Sequence, residues 1–160
     1  MSTLMASAQD SVAKSSLQAL ISNNETQITS LANAFSEEQY NWRPAEGIRS
    51  VGEAILHIAA ANYFLATKLG FTPPEDVDMM GMEKITGKEN VIETLHKSFV
   101  FVLDKLGQIN PEDYGKEVDL GFSKLSTLGT MMVVLDHTGE HKGQLIAYAR
   151  SIGVVPPWSN

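Results

Sequence analysis

The chain has 160 residues, 43% of them hydrophobic, which suits a single globular domain over 1–160 with one core. A formal charge of −7, with no basic run to offset it, argues against nucleic acid as a partner. There is no cysteine, so disulfides, thiolate ligands and a cysteine nucleophile are excluded, and a reducing compartment fits.

Met1 to Asp10 lacks the basic start and continuous apolar core of a signal peptide. No apolar run reaches membrane-spanning length. The expectation is a soluble cytoplasmic protein with no membrane partner.

The first helical pattern runs over 7–35. Ala13, Leu17, Leu20, Ile21, Ile28, Leu31 and Phe35 share one face, and Asn24 points into the middle of it. A buried amide ordinarily satisfies a nearby backbone or side-chain group. Contact with a functional site is the alternative. Pro44 and Gly47 then break the pattern. Trp42 is expected to cover one end of the core, and Arg43 to lie on the surface.

Ser50 followed by Glu53 has capping-box spacing and predicts a second helix over 50–69. Ala54, His57, Ala61, Phe64 and Leu65 form its predicted buried face, so a histidine stands on an apolar stripe with alanines a turn away on either side. The connection over 71–87 is long for a helix bundle. It holds Met79, Met80 and Met82, flexible apolar side chains suited either to lie over a pocket or to close the end of the core. A third helix is predicted over 88–106, with Leu95, Phe99, Val102, Leu103 and Leu106 inward and His96 at the surface.

Residues 110–125 read as irregular. Ser126 or Thr127 then caps a fourth helix over 127–152. His137 and His141 leave one face of it a turn apart, because four residues at about 100° each return to within about 40° of the starting direction. Thr130, Val134, Leu145, Tyr148 and Ile152 share that face. Two ordinary core histidines would explain the pair. With His57, however, three inward imidazoles on two helices form a candidate metal site. Imidazole serves nickel, zinc and iron, so the residues do not specify the ion; nickel or zinc is expected first, with iron or manganese as the alternatives. Glu140, at the margin of the ligand stripe, is a weak candidate for a general base, and Asp136 lies further round. Leu128, Met132, Leu135 and Ile146, with Gly139 among them, form a second apolar stripe opposite the histidines. This predicts burial by the domain or by a second subunit, and a homodimer is expected. The tail over 153–160 is expected to pack Trp158.

The sequence lacks a Gly-rich phosphate loop, a dinucleotide fingerprint, a His-Glu-x-x-His motif and a Gly-x-Ser-x-Gly setting. Three segments together resemble the DinB/YfiT-like superfamily. They are Asn41-Trp42-Arg43-Pro44 through Ser50 to His57, then His137-x-x-x-His141-Lys142-Gly143-Gln144-Leu145, then Gly153 to Ser159. The resemblance covers nearly the whole chain. It implies an all-α four-helix bundle with long crossover connections. It also implies a divalent metal, commonly nickel or zinc, on His57, His137 and His141, with positions left for water or substrate. Relatives resemble metal-dependent hydrolases or transferases using low-molecular-weight thiols, and many are dimers. The expected function is therefore a metal-dependent enzyme of hydrolase or thiol S-transferase type acting on a small molecule. The alternative is a non-enzymatic, stress-related dimer that binds a metal or small ligand.

Overall fold

The computed structural model describes residues 2–159, with side chains described from residue 12 onward. Four helices carry the fold: α1 (Ser2–Ala34), α2 (Val51–Lys68), α3 (Lys88–Gln108) and α4 (Thr127–Ser151). α1 packs on α3 and α4, and α2 packs on the same two. The order around the bundle is therefore α1, α3, α2, α4. α1 and α2, consecutive in the chain, are diagonal, so the 35–50 connection crosses an end of the bundle. No helix among the described residues is long and apolar enough to cross a membrane.

The helices start and stop for local reasons. At α2 the predicted capping box is complete: Ser50 Oγ accepts from Glu53 N at 3.2 Å, and Glu53 accepts from Ser50 N at 2.7 Å. Gly52 lies in the first turn because Tyr40 passes over it. A Cβ there would stand 3.3 Å from the Tyr40 carbonyl oxygen. Ser126 rather than Thr127 caps α4, accepting from Gly129 N at 3.0 Å. α3 runs two residues past the predicted end. Lys14 of α1 donates to the carbonyls of Gly107 and Ile109, both at 2.9 Å, and so satisfies the exposed end. Lys88 does the same for α1, donating to Asn33 and Phe35 oxygens at 2.9 and 2.6 Å.

The core is continuous, with Ile21, Ile28, Leu31, Phe35, Ile55, Leu95, Phe99, Val102, Met131 and Val134 fully buried. Two polar pairs are buried with it. Asn62 donates to Ser98 Oγ at 3.1 Å between α2 and α3. Asn24 donates to Thr138 Oγ1 at 3.0 Å and accepts from Lys142 Nζ at 2.6 Å, tying α1 to α4. Asn24 is thus a core amide with satisfied partners, and its functional alternative falls away.

Several expectations are corrected. Ala13 is exposed and Leu20 is 52% exposed, because the inward face of α1 follows Leu17, Ile21, Asn24, Ile28 and Leu31. Phe64 is 36% exposed at the rim of α2. Residues 117–126 hold a small antiparallel hairpin, β1 (Glu117–Asp119) with β2 (Lys124–Ser126), and Val118 pairs with Leu125. Gly121 turns it at φ +90°, which a side chain would resist, and presents Phe122 at the tip, 75% exposed. Trp158 is 38% exposed, and in the tail it is Pro156 that is buried.

The second stripe on α4 also changes meaning. α1 covers most of it: Asn24 donates to Leu135 O at 3.5 Å, and Leu128, Leu135 and Ile146 pack against the core. Met132 alone of that stripe is open, at 57%. The stripe therefore needs no second subunit to cover it.

Candidate functional site

His57 leaves α2 and His137 and His141 leave α4 where those two helices face each other. Their rings come together, with centroids 5.1 Å apart for His57 and His137, 4.8 Å for His57 and His141, and 4.3 Å for His137 and His141. One nitrogen from each lies within 4.8 Å of the others, a grouping able to hold a metal ion. The sequence places the rings on buried stripes. In the structure they are half-buried, at the edge of those stripes. The fully buried positions are neighbours such as Thr130, Val134 and Leu145.

The outward nitrogens are fixed by a chain of donors whose direction can be read. Tyr148 Oη lies 3.2 Å from the Arg49 carbonyl, an acceptor only, so the phenol donates. Gln144 Nε2 then donates to that phenol at 2.8 Å. This turns Gln144 Oε1 toward His141 Nδ1 at 2.7 Å, so Nδ1 of His141 carries the proton and Nε2 presents a lone pair inward. His57 is fixed by a carboxylate: its Nδ1 donates to Glu83 Oε1 at 3.1 Å, which leaves its Nε2 as a lone pair facing His137 Nε2 at 3.3 Å. Glu83 is held in turn by Arg49, whose Nε donates to both carboxylate oxygens at 3.0 Å. Arg49 therefore supports two of the three rings, one through its side chain and one through its carbonyl. The capping box fixes Ser50, the next residue in the chain.

His137 differs. Its Nδ1 is buried with no partner among the described residues. Burial, then the charges that His141, His57 and Arg49 would place beside it, push its pKa down to about 3. His57 is also lowered, by burial first and then by Arg49 and His141, against the pull of Glu83. Both rings are neutral at pH 7, as a metal ligand must be.

A pH dependence follows for the metal-free protein. The unfolded chain takes up these protons near pH 6.5, while the folded chain resists until well below it, to about 3 at His137. Below 6.5 the unfolded state therefore binds more protons, and stability falls as pH falls. The stabilisation is fully present above 6.5 and is lost progressively toward pH 3. Urea midpoints should be level from pH 8 to 7 and decline from 6.5 to 4.5, at no more than about 1.4 kcal/mol per pH unit per proton. A level midpoint down to pH 4.5 would contradict the burial of these rings.

The structure sorts the remaining candidates. Glu140 and Asp136 are exposed, and the carboxylate that reaches the three-histidine cluster is Glu83, from the 71–87 connection. His96 is on the surface, paired with Glu25 at 3.2 Å. Arg43 is also a surface residue, bound to the Ile48 carbonyl and to Glu53. Trp42 packs edge-on against Tyr148 at 5.4 Å, behind the His141 chain of donors. Of the three methionines, Met82 turns into the core, while Met79 and Met80 border a cavity onto which His57 and His137 open.

The sequence model of the DinB family matches residues 7–160. The chain belongs to the DinB family. The uncharacterized protein YjoA of Bacillus subtilis (strain 168) is 25% identical over 126 residues, 77% of this chain and 80% of YjoA. The crystal structure of YjoA superposes with a TM-score of 0.68 at 20% identity, covering 88% of this chain and 94% of that one. A DinB-like protein from Bacillus cereus ATCC 10987 gives 0.73 at 15% identity, covering 86% and 91%. A conserved protein from Enterococcus faecalis gives 0.70 at 17%, covering 86% and 95%. At these identities the structures speak for the fold, which is the all-α, four-helix DinB arrangement.

Proposed function

We propose that His57, His137 and His141 hold one divalent metal ion through inward-facing nitrogens, and that the chain is a metal-dependent enzyme of hydrolase or thiol-transfer type. The carrying observation is the pair of Nε2 atoms 3.3 Å apart, with Glu83 claiming the other nitrogen of His57. Two nitrogens each about 2.0–2.1 Å from one ion at a tetrahedral angle span about that distance. The donor set is neutral and of borderline softness, which fits nickel, zinc or iron and serves manganese less well.

When bound, such an ion supplies the Lewis acidity that makes a water or thiol nucleophilic near pH 7. The rest is the work of the chain. Glu83 and Gln144 fix the two rings by their Nδ1 protons and raise the basicity of the opposite nitrogens. Arg49 keeps Glu83 aimed at His57 by donating to both carboxylate oxygens. Glu83→Gln should therefore keep the fold and weaken metal binding roughly tenfold to a hundredfold, as read by competition with a chromogenic chelator. Unchanged affinity would remove Glu83 from this role.

The non-catalytic alternative draws on one fact: Glu83 is committed to Arg49 and His57, and Glu140 and Asp136 lie exposed. A panel of esters, amides and thiol-transfer pairs, run on fully loaded protein and on His57→Ala, separates the two readings. Turnover in the first and none in the second supports the enzyme. No turnover at full occupancy leaves a binding protein.

A further inference from the structure

The cavity bordering the histidines has a chemistry of its own. It is an open cleft of about 340 Å³ between α2, α4, the 71–87 connection and the hairpin tip. Of its ten lining residues, only His57 and His137 carry a nitrogen or oxygen in the side chain. The other eight are alanine, leucine, valine, phenylalanine and methionine, and no charged side chain lines it. Ala61, one turn beyond His57, leaves its floor open. The rim is apolar too: Met80 is 93% exposed and Phe122 is 75% exposed, from two separate connections.

The geometry points to a ligand of defined class: a neutral molecule with an apolar alkyl or aryl body in this cavity and one donor head directed at the imidazole cluster. The head rests on the three-histidine reading above, and the body rests on the cavity alone. At about 30 Å³ of liquid volume per small group, the cavity takes a body of roughly ten heavy atoms. That is near the lower end of small-molecule sites, roughly 300–1,000 Å³. A carboxylate or phosphate on the part of the body that lies against these walls would lose water without gaining a partner, a cost that selects against charge there. Arg49, the cation nearest the rings in the network, is already bound to Glu83. A concave space walled by two imidazoles suits a small molecule better than the flat face of a second copy. Met80 and Phe122 are placed to fold over such a body, as flexible and aromatic side chains do at adaptable sites.

The test has two arms. In the first, metal-free protein labelled at methyl groups is titrated with ethanol, 1-butanol and 1-hexanol and followed by NMR. Affinity should rise about fourfold per added methylene, with shifts at Met79, Met80 and Val133. Hexane-1,6-diol should bind at least about tenfold more weakly than 1-hexanol, because its second hydroxyl enters an apolar space. Ala61→Phe should abolish the 1-hexanol shifts. Met80→Glu, at an open position that folding does not depend on, should weaken them. A flat series, or shifts elsewhere, overturns the proposal whatever the metal does. Loss of 1-hexanol binding as protein concentration rises would show the rim covered by a second copy, and overturns it too. In the second arm, cobalt-loaded protein is titrated with alkanehydroxamates of two to six carbons and read by the cobalt absorption bands. The same slope should appear, flattened by Ala61→Phe while acetohydroxamate binds as before. Failure to retain cobalt alongside a normal alcohol series refutes the metal reading and leaves the apolar body in place.

Discussion

Protein purified without an affinity tag should carry about one divalent ion per chain by elemental analysis, and His141→Ala protein should carry none. His141 is the ligand to remove because little else depends on it. Its ring is half-buried, and its Nδ1 ends the chain of donors. Without it, Gln144 still reaches Tyr148 and Tyr148 still reaches the Arg49 carbonyl, so the link between α4 and the start of α2 survives. The two remaining imidazoles make a poor site, since two side chains alone leave an ion largely to water. Circular dichroism and the urea midpoint of metal-free His141→Ala should stay close to those of the metal-free parent, which separates loss of a ligand from loss of the fold. An ion retained at full stoichiometry in the variant would mean that a different donor completes the set. An empty parent, even after reconstitution with nickel and with zinc, would make the three rings polar core residues and nothing more.

The site shows where sequence reading succeeds and where it stops. Spacing on a helix is local, so His137 and His141 could be placed on one face, and Ser50 with Glu53 located the start of α2 and hence the height of His57. Glu83 was invisible for the opposite reason. It lies in an irregular connection, 26 residues beyond the ring that it supports, and only the packing of that connection against α2 brings it there. Gln144 and Tyr148 are a different case. They stand three and seven residues after His141 on the same helix, so a polar partner one turn on was a signal available in the sequence. The hairpin escaped because strands of three residues are too short for alternation to show. The second stripe of α4 is apolar as the sequence indicates, and of the two covers the sequence leaves open, the domain or a second subunit, it is the domain that packs on it. A helix between α1 and α2 in the bundle is covered on both sides by its own chain.

Phe99→Ala should lower the unfolding free energy by about 3–5 kcal/mol, the range for truncating a fully buried phenylalanine. Phe99 is fully buried on α3, the helix that packs against both α1 and α2. Ser98 beside it is pinned by Asn62 at 3.1 Å, which fixes the register of α3 against α2. The helices therefore cannot slide together to fill the gap, so the cost lies toward the upper part of that range, where collapse is poor. Denaturant titration should read the loss of free energy at an unchanged slope, and since each kcal/mol moves the melting temperature of a chain of this length by roughly 2–4 °C, a thermal melt should show a fall of roughly 6–20 °C. Val100→Ala is the control. Val100 is 53% exposed on the opposite face, and its loss should stay within about 0.5 kcal/mol. Equal losses in the two variants would mean that α3 is rotated about its axis from the position described. That rotation would break the Asn62–Ser98 bond. It would also disturb α2, and with it the register of His57 against α4, so the stability of this remote residue is a check on the geometry of the site.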